Sequence, residues 1–346
     1  MTRVAGWDIG GAHLKLACVE DETVVHAAQL PCALWRGLDE LRRALSEARD
    51  GLGPIDRHAV TMTGELADLF PDRASGVAAI LDVLAEFVPV ASLAAYSTSG
   101  AFVSVQQVSA APNLVASANW HATSRYLANR LHNGLLVDIG STTTDIVPFM
   151  QARVAARGAT DVERLATGEL IYTGVVRTPL VAIAQEIAFG GRMVGVMAEL
   201  FATAADAHRL AGTLPEGADL QATADNRGKS LPESRARLAR MIGMDASAAP
   251  EAAWRHLAES FVRRQAVSIE IAVDRVLSAS DLPGDVPVIG AGTGRFLAEE
   301  LARRFRRPYR AFGDNIEAAS LRLRSLASDI APAVAVALLL ASDNAA

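Results

Sequence analysis

Cysteine is close to absent, with only Cys18 and Cys32 in 346 residues. Two thiols cannot form a four-cysteine cluster site within one chain, and nothing in their spacing suggests a disulfide framework. Cys18 falls in an apolar strand pattern and reads as a core residue. Excess positive charge is missing as well. The net charge of −6 gives no electrostatic case for nucleic acid, and no basic tract supplies one. The arginine run Arg303–Arg307 reads as the solvated end of a helix. Long hydrophobic runs are also lacking. Ala331–Ala341 is too short for a membrane span and has Asp329 and Asp343 beside it. No signal-peptide pattern precedes the first strand. The expectation is a cytoplasmic protein with neither a nucleic-acid nor a membrane partner; oligomeric state has no signal in the sequence.

What is present is ordinary globular material, 51% apolar and 21% charged, with length enough for two cores. Strand patterns at Arg3–Ile9, Leu14–Glu20 and Thr23–Leu30 precede a helix over Leu38–Arg49, where Leu38, Leu41 and Leu45 recur at helical spacing. A strand at His58–Thr63, a helix at Ser75–Phe87 and strand material over Leu93–Val105 follow, then a helix over Ser117–Leu131. The order then restarts with strands at Gly134–Val137, Asp145–Met150 and Arg153–Arg157. A long insertion reads as strand-like Leu180–Ala188 and helices near Thr203–Leu210, Leu231–Ile242 and Pro250–Ser278. The order resumes with a strand at Val286–Ile289, a helix at Gly294–Arg304, a strand at Pro308–Phe312 and a last apolar helix, Ile330–Leu340. The expected class is α/β: two ribonuclease H-like domains with a cleft between them. Domain I spans 1–130; domain II spans 131–330, with a helical insertion at about 190–280; a C-terminal helix, 331–346, packs near the junction.

Two stretches 130 residues apart share one design: Gly6-Trp-Asp-Ile-Gly-Gly-Ala-His-Leu-Lys15 and Val137-Asp-Ile-Gly-Ser-Thr-Thr-Thr-Asp145. Each reads as a strand ending in Asp, a tight Gly-bearing turn and a returning strand. Two such turns facing each other can clamp a phosphate chain. Turn N–H groups at Gly10, Gly11, Ser141, Thr142 and Thr143 would bind oxygens, while Asp8 and Asp138 hold hydrated Mg2+. Asp145 is a third carboxylate candidate. Lys15 either neutralises a phosphate oxygen or is an exposed strand lysine; inward alternation favours the first. A third Gly-rich turn, Gly290-x-Gly292-x-Gly294, follows a strand and opens a helix, allowing a ligand close to backbone. Its late position argues against a dinucleotide fingerprint. The segment Gly212–Ser230 is either a plain surface loop or a lid bringing Arg227 and Lys229 onto an anionic ligand.

These three elements resemble, in order, the phosphate-1, phosphate-2 and adenosine motifs of the sugar kinase, heat-shock ATPase and actin superfamily. Within it, the chain is similar to the hydantoinase A and oxoprolinase-like branch. More narrowly, five stretches resemble proteins linked to tetrahydromethanopterin-dependent one-carbon transfer. These are Thr61–Asp68, Ala118–His121, Gly168–Pro179, Met197–Asp206 and Thr223–Lys229. Archaeal members of that group are methanofuran-biosynthesis enzymes. The resemblance therefore implies a transferase that joins an aminomethylfuran-methyl diphosphate to the phenol of a glutamylated tyramine or tyrosine, releasing diphosphate. One departure is visible: His13-Leu14 stands where small polar residues are expected.

On that implied chemistry, Asp8, Lys15, Asp138 and Asp145 form the catalytic set. Glu65, Asp68, His121 and Glu169 are candidates for the base that takes the phenol proton, each with turn capping or core hydrogen bonding as its other reading. Arg177 could serve the diphosphate or a glutamyl carboxylate. Two other functions fit the same motifs: an ATP-dependent kinase or hydantoinase-type ATPase, and a non-catalytic ATP-binding switch for a partner protein.

Overall fold

A computed structural model of the protein describes residues 2–343. Strands β1 (Arg3–Ile9), β2 (His13–Glu20) and β3 (Thr23–Pro31) form an antiparallel meander. Helix α1 (Leu38–Arg49) crosses to β4 (Arg57–Met62), parallel to β1; α2 (Arg73–Ala85) crosses to β5 (Leu93–Tyr96). The strand material expected as far as Val105 stops early. β6 (Phe102–Ser104) ends at a serine that caps α3 (Val105–Ala110) through a reciprocal box with Gln107. Helix α4 (Asn119–Leu131) then leads into the second half.

There β7 (Gly134–Ile139) and β8 (Thr144–Met150) repeat the hairpin. Two short strands, β9 (Arg153–Val154) and β10 (Leu170–Ile171), share the far edge of β8, separated by α5 (Asp161–Thr167). The insertion opens with a short helix, α6 (Leu180–Ile183), where a strand was expected. A hairpin of β11 (Glu186–Phe189) and β12 (Arg192–Gly195) follows, turning on Gly190 and Gly191, both at positive φ. Helices α7 (Ala204–Ala211), α8 (Leu231–Arg240) and α9 (Glu251–Ser278) complete it. The order resumes with β13 (Val288–Ala291), α10 (Arg295–Arg304) and β14 (Tyr309–Ala311). Last come β15 (Glu317–Ala318), α11 (Leu321–Asp329) and α12 (Ala331–Ser342).

The first sheet runs β15-β3-β2-β1-β4-β5-β6 and the second β10-β8-β7-β13-β14. In each, an antiparallel hairpin is followed by parallel strands on its inner side, the ribonuclease H-like order. The chain returns to the first sheet through β15, which pairs with β3. Helices α4 and α12 bury a common core between the sheets, with Trp120, Leu127, Val334 and Leu338 beside Val4 and Phe149. Gly6 permits that packing. A Cβ there would run into the Ala333 carbonyl and the Ala337 side chain of α12. α1 and α2 cover the first sheet's other face, α9 and α10 the second's, and the insertion has its own core around Trp254 and Phe261. Cys18 and Cys32 are buried and free; burial pushes their thiols up to about 11 and about 12. Among the described residues no single helix is long and apolar enough to cross a membrane.

Candidate active site

The two hairpins have the same closing geometry. Gly10 N–H donates to the His13 carbonyl at 2.9 Å, and Gly140 N–H donates to the Thr143 carbonyl at 2.9 Å. Each turn is laced to a following segment. Cys32 and Leu34 donate to the carbonyls of Ala12 and Gly11, while Val175, Val176 and Arg177 donate to those of Gly140 and Ser141. These straps deliver Trp35 from one side and Arg177 from the other. The Arg177 guanidinium lies 4.3 Å from the centroid of the Trp35 ring. His13 approaches the second turn, its Nδ1 3.5 Å from the Ser141 hydroxyl. Twin turns therefore converge, as the sequence repeat anticipates.

Register decides what the acidic residues do. Asp8 stands opposite Lys15 in the β1–β2 ladder, and their charged atoms are 3.1 Å apart. Asp138 occupies the same position in the second hairpin, but its partner across the ladder is Asp145. Like charges directly opposed are unfavourable, so compensation must come from elsewhere. Arg164, fully buried on α5, reaches Asp145 at 2.8 Å, donates to the Glu169 carbonyl and lies 3.9 Å over the Trp120 ring. Asp138 has Lys15 from the other hairpin as its main counter-charge. Desolvation, then repulsion from Asp145, Asp8 and Asp329, pushes its carboxyl up to about 7 even so. Burial works against the Lys15 charge, yet the carboxylates of Asp8, Asp138 and Asp145 hold its pKa above the ordinary value. Asp329, at the end of α11, pairs with Arg295.

A cleft of about 390 Å3 opens beside these turns, walled by Gly11, Thr63, Asp68 and Trp35 on one side and Thr142, Thr143, Asp145 and Tyr172 on the other. Arg177 lines it and also lines a second cavity of about 490 Å3 toward the insertion. No group of three or more His, Cys, Asp or Glu side chains able to hold a metal ion occurs among the described residues. Two carboxylates are enough for hydrated magnesium, which keeps several waters of its own. The donor set at the hairpins fits that demand: Asp8 Oδ1 is buried with no hydrogen-bond partner.

Several expected residues stand elsewhere. Glu169 spends both carboxylate oxygens on the N–H groups of Arg157 and Gly158, at 2.6 and 2.9 Å, and does not line the cleft. His121 shares a 3.0 Å hydrogen bond with Tyr96 between α4 and β5, also off the cleft wall. Glu65 is buried and accepts from the Ser117 hydroxyl; burial raises its pKa. Of the four base candidates only Asp68 is on the wall. Gly290, Gly292 and Gly294 do not cradle the cleft; they let β13 press against its neighbours. A Cβ on Gly290 would meet the Tyr309 ring, and one on Gly294 the Ile139 side chain. Gly292, at φ +78°, would place its Cβ 2.5 Å from Asp138 Oδ1. The Gly212–Ser230 segment, read as either a surface loop or a lid, touches the site without bringing Arg227 or Lys229 to it as a lid would. Lys229 pairs with Asp219 at 3.2 Å, and Arg227 is exposed and lines neither cavity. The contact comes from Gln221, which donates to the Ala12 carbonyl of the first turn at 2.5 Å.

Arg164, Asp329, Trp35 and Gln221 are not among the site residues read from the sequence. For Arg164 a signal existed: Thr160-x-x-Glu163 is a capping box, which the structure forms and which starts α5. The other three are brought in by tertiary contacts with no local pattern of their own.

Known proteins bear on this geometry. The chain is 30% identical over 291 residues to the (4-{4-[2-(gamma-L-glutamylamino)ethyl]phenoxymethyl}furan-2-yl)methanamine synthase of Methanocaldococcus jannaschii, covering 84% of this chain and 86% of that protein. It is 46% identical to the synthase of the same name from Methanococcus vannielii over 74 residues, 21% of this chain and 33% of the relative. A nucleotide-free acetone carboxylase structure matches with a TM-score of 0.53 over 85% of this chain and 66% of that one. At 11% identity that match shows a common fold, the actin-like ATPase fold with a helical insertion in its second domain. The hydantoinase/oxoprolinase family model matches residues 56–310, running from β4 into β14. By that match the chain belongs to the hydantoinase/oxoprolinase family.

Proposed function

We propose that the protein is a cytoplasmic transferase that condenses an aminomethylfuran-methyl diphosphate with the phenol of a glutamylated tyramine, forming an aryl ether and releasing diphosphate. The observation that carries this reading is the similarity to the Methanocaldococcus synthase over 84% of the chain, with both hairpins and the cleft inside one continuous fold. That relative's name describes an ether between a phenoxy oxygen and a furan-bound methylene.

The chemistry needs a charged leaving group held still and water kept from the methylene carbon. The hydroxyls of Thr142 and Thr143, on the cleft wall, would meet a diphosphate there, and Lys15 supplies a cation fixed by Asp8. The carbon–oxygen bond to diphosphate breaks with its electron pair leaving on the phosphate oxygen, while the furan oxygen delocalises positive charge at the carbon. The phenol oxygen forms the new bond and gives its proton to Asp68, the base candidate on the cleft wall. The carboxylates of Asp8, Asp138, Asp145 and Asp329 outnumber the cations Lys15, Arg164 and Arg295 that balance them. Such a cluster on its own repels a diphosphate. Asp8 and Asp138 would hold Mg2+, which when bound supplies the missing positive charge at the leaving group.

The test is incubation of the purified protein with Mg2+, the furan-methyl diphosphate and γ-glutamyltyramine, with mass detection of the ether and assay of released diphosphate. Ether formation without nucleotide is the expected result. ATP turnover with no ether would overturn the proposal in favour of a kinase or hydantoinase-type ATPase.

A further inference from the structure

The product described by the relative's name has two unlike ends. One is a methanamine on the furan, a cation; the other is a γ-linked glutamyl group with a free α-carboxylate, and the ether joint lies between them. The protein offers two unlike chambers. The cleft beside the hairpins and the cavity toward the insertion share Trp35, Thr142, Tyr172 and Arg177 as a common wall.

Their ionic linings differ once internal pairs are removed. In the first chamber Asp145 is taken by Arg164 and Asp161 by Arg73 at 2.5 Å, leaving the exposed Asp68, with no ion-pair partner among the described residues, together with the shared Arg177. In the second, the carboxylates are the ones spent. Asp206 is paired with Arg209 and Arg237, and Asp219 with Arg209 and Lys229. What remains there is positive. Arg36 and Arg177 line that cavity, and neither has a carboxylate within ion-pair distance among the described residues. Arg177 is half-buried, stacked on Trp35, and its backbone is fixed by a 2.8 Å hydrogen bond to the Ser141 carbonyl. A guanidinium pre-positioned in this way and lacking a partner is suited to a carboxylate ligand.

We propose that the cavity between the hairpins and the insertion is the acceptor subsite. There Arg177, supported by Arg36, binds the α-carboxylate of the glutamyl group, while the donor occupies the first chamber. The inference rests on the proposed reaction for the identity of the acceptor. Thr142 and Tyr172, on the shared wall, then flank the joint where phenol oxygen meets methylene carbon. Its volume of about 490 Å3 falls within the roughly 300–1,000 Å3 of small-molecule sites. Specificity for a glutamylated over a bare phenol follows from the geometry: without the carboxylate, the Arg177 charge stays half-buried and unpaired.

The experiment compares γ-glutamyltyramine with tyramine on wild type, Arg177→Met, Arg177→Lys and Arg36→Met, by steady-state kinetics and by calorimetric binding of each phenol. Wild type is expected to favour the glutamylated phenol by roughly 10- to 100-fold in KM or Kd. Arg177→Met should erase that preference while shifting the KM of the diphosphate less than about twofold, and Arg177→Lys should restore part of it. Arg36 is exposed, so Arg36→Met folds irrespective of the cavity and should weaken the preference by a few-fold. The inference is overturned if wild type binds both phenols equally, or if the arginine variants change the diphosphate KM and leave the acceptor preference intact. Arginine-dependent binding of γ-glutamyltyramine with no ether formed would sustain the subsite and reject the proposed reaction.

Discussion

The two hairpins are built on one backbone plan and differ in how their charge is balanced. In the first, Asp8 and Lys15 face each other across the ladder, so the pair is neutral within itself. In the second, an aspartate stands where Lys15 stands in the first, and Asp138 faces Asp145. The first hairpin balances its own charge; the second sets two carboxylates against each other. Its help comes from two directions: Arg164 from its own domain fixes Asp145, and Lys15 from the opposite hairpin acts on Asp138. The asymmetry makes the charge balance at Asp138 depend on Lys15 from the opposite hairpin. Duplication of a fold element thus permits a division of labour: one copy self-sufficient, the other dependent on charge from outside.

The largest expected effect comes from removing the outside help. Arg164→Met leaves Asp145 and Asp138 opposed with one cation gone, and loss of one partner of a buried pair costs roughly 3–5 kcal/mol. Urea unfolding should show that loss, and a change under about 1 kcal/mol would mean the second hairpin does not depend on Arg164. Lys15→Met attacks the comparison from the other side. Lys15 is partly exposed, 22% for its side chain, so stability should fall less than for Arg164→Met while turnover collapses.

Next come the two strand-end carboxylates. Asp8→Asn and Asp138→Asn should each reduce turnover about 100- to 1,000-fold, as expected when one preorganised charge contact of roughly 3–4 kcal/mol is lost. Their stabilities should part company. Burial already disfavours the ionised form of Asp138, so Asp138→Asn should leave the melting temperature unchanged or raise it at neutral pH. Asp8→Asn unpairs Lys15 and should lower it. Identical melting shifts would erase the proposed difference between the hairpins.

How much of this was legible beforehand follows from where each signal resides. Asp8, Asp138 and both turns were readable because a hairpin with a Gly turn is a local pattern, and its repetition 130 residues later gave the architecture. The order of strands followed from the same repeat. Arg164 was missed although its helix carries a capping box, because seven residues of α5 give too few turns for a hydrophobic period. Leu180–Ile183 reads as strand by composition but is one helical turn, since Leu180 packs into the insertion core and tertiary burial outweighs propensity. Glu169 stood open between a base and a core hydrogen-bonding group; the structure settles it, because two backbone N–H groups consume its carboxylate. The Gly290–Gly294 run carries the composition of a phosphate turn, yet its glycines answer a packing need against Ile139, Asp138 and Tyr309.

A smaller effect separates the domains by pH. His58 accepts from the Trp7 indole at 3.2 Å in the first domain's core, and burial, then Arg49, lowers its pKa to about 4. His121, between the domains, is lowered to about 4 by burial, then Arg125 and Arg164. A histidine whose folded pKa lies below its unfolded value of about 6.5 contributes stability that is complete above pH 6.5 and lost as pH falls toward 4. For His58 the contribution is on the order of 3 kcal/mol. Thermal melts should fall across that window in wild type and fall less steeply in His58→Gln. Equal slopes would show that other groups drive the acid transition.

The smallest effect tests the turns themselves. Thr142 presents a hydroxyl to both chambers, whereas its counterpart in the first turn, Ala12, has only a methyl group and gives its carbonyl to Gln221. If the second turn is the one that binds leaving-group oxygens through side chains, Thr142→Val should cost about 1 kcal/mol, a roughly fivefold loss in kcat/KM for the diphosphate. Gln221→Met removes a buried tie between the insertion and the first turn without touching that oxygen site. Its expected signature is therefore a lower melting temperature with the diphosphate KM nearly unchanged. A reversal of the two outcomes would make the first turn the phosphate binder and leave the Thr142 hydroxyl a structural group.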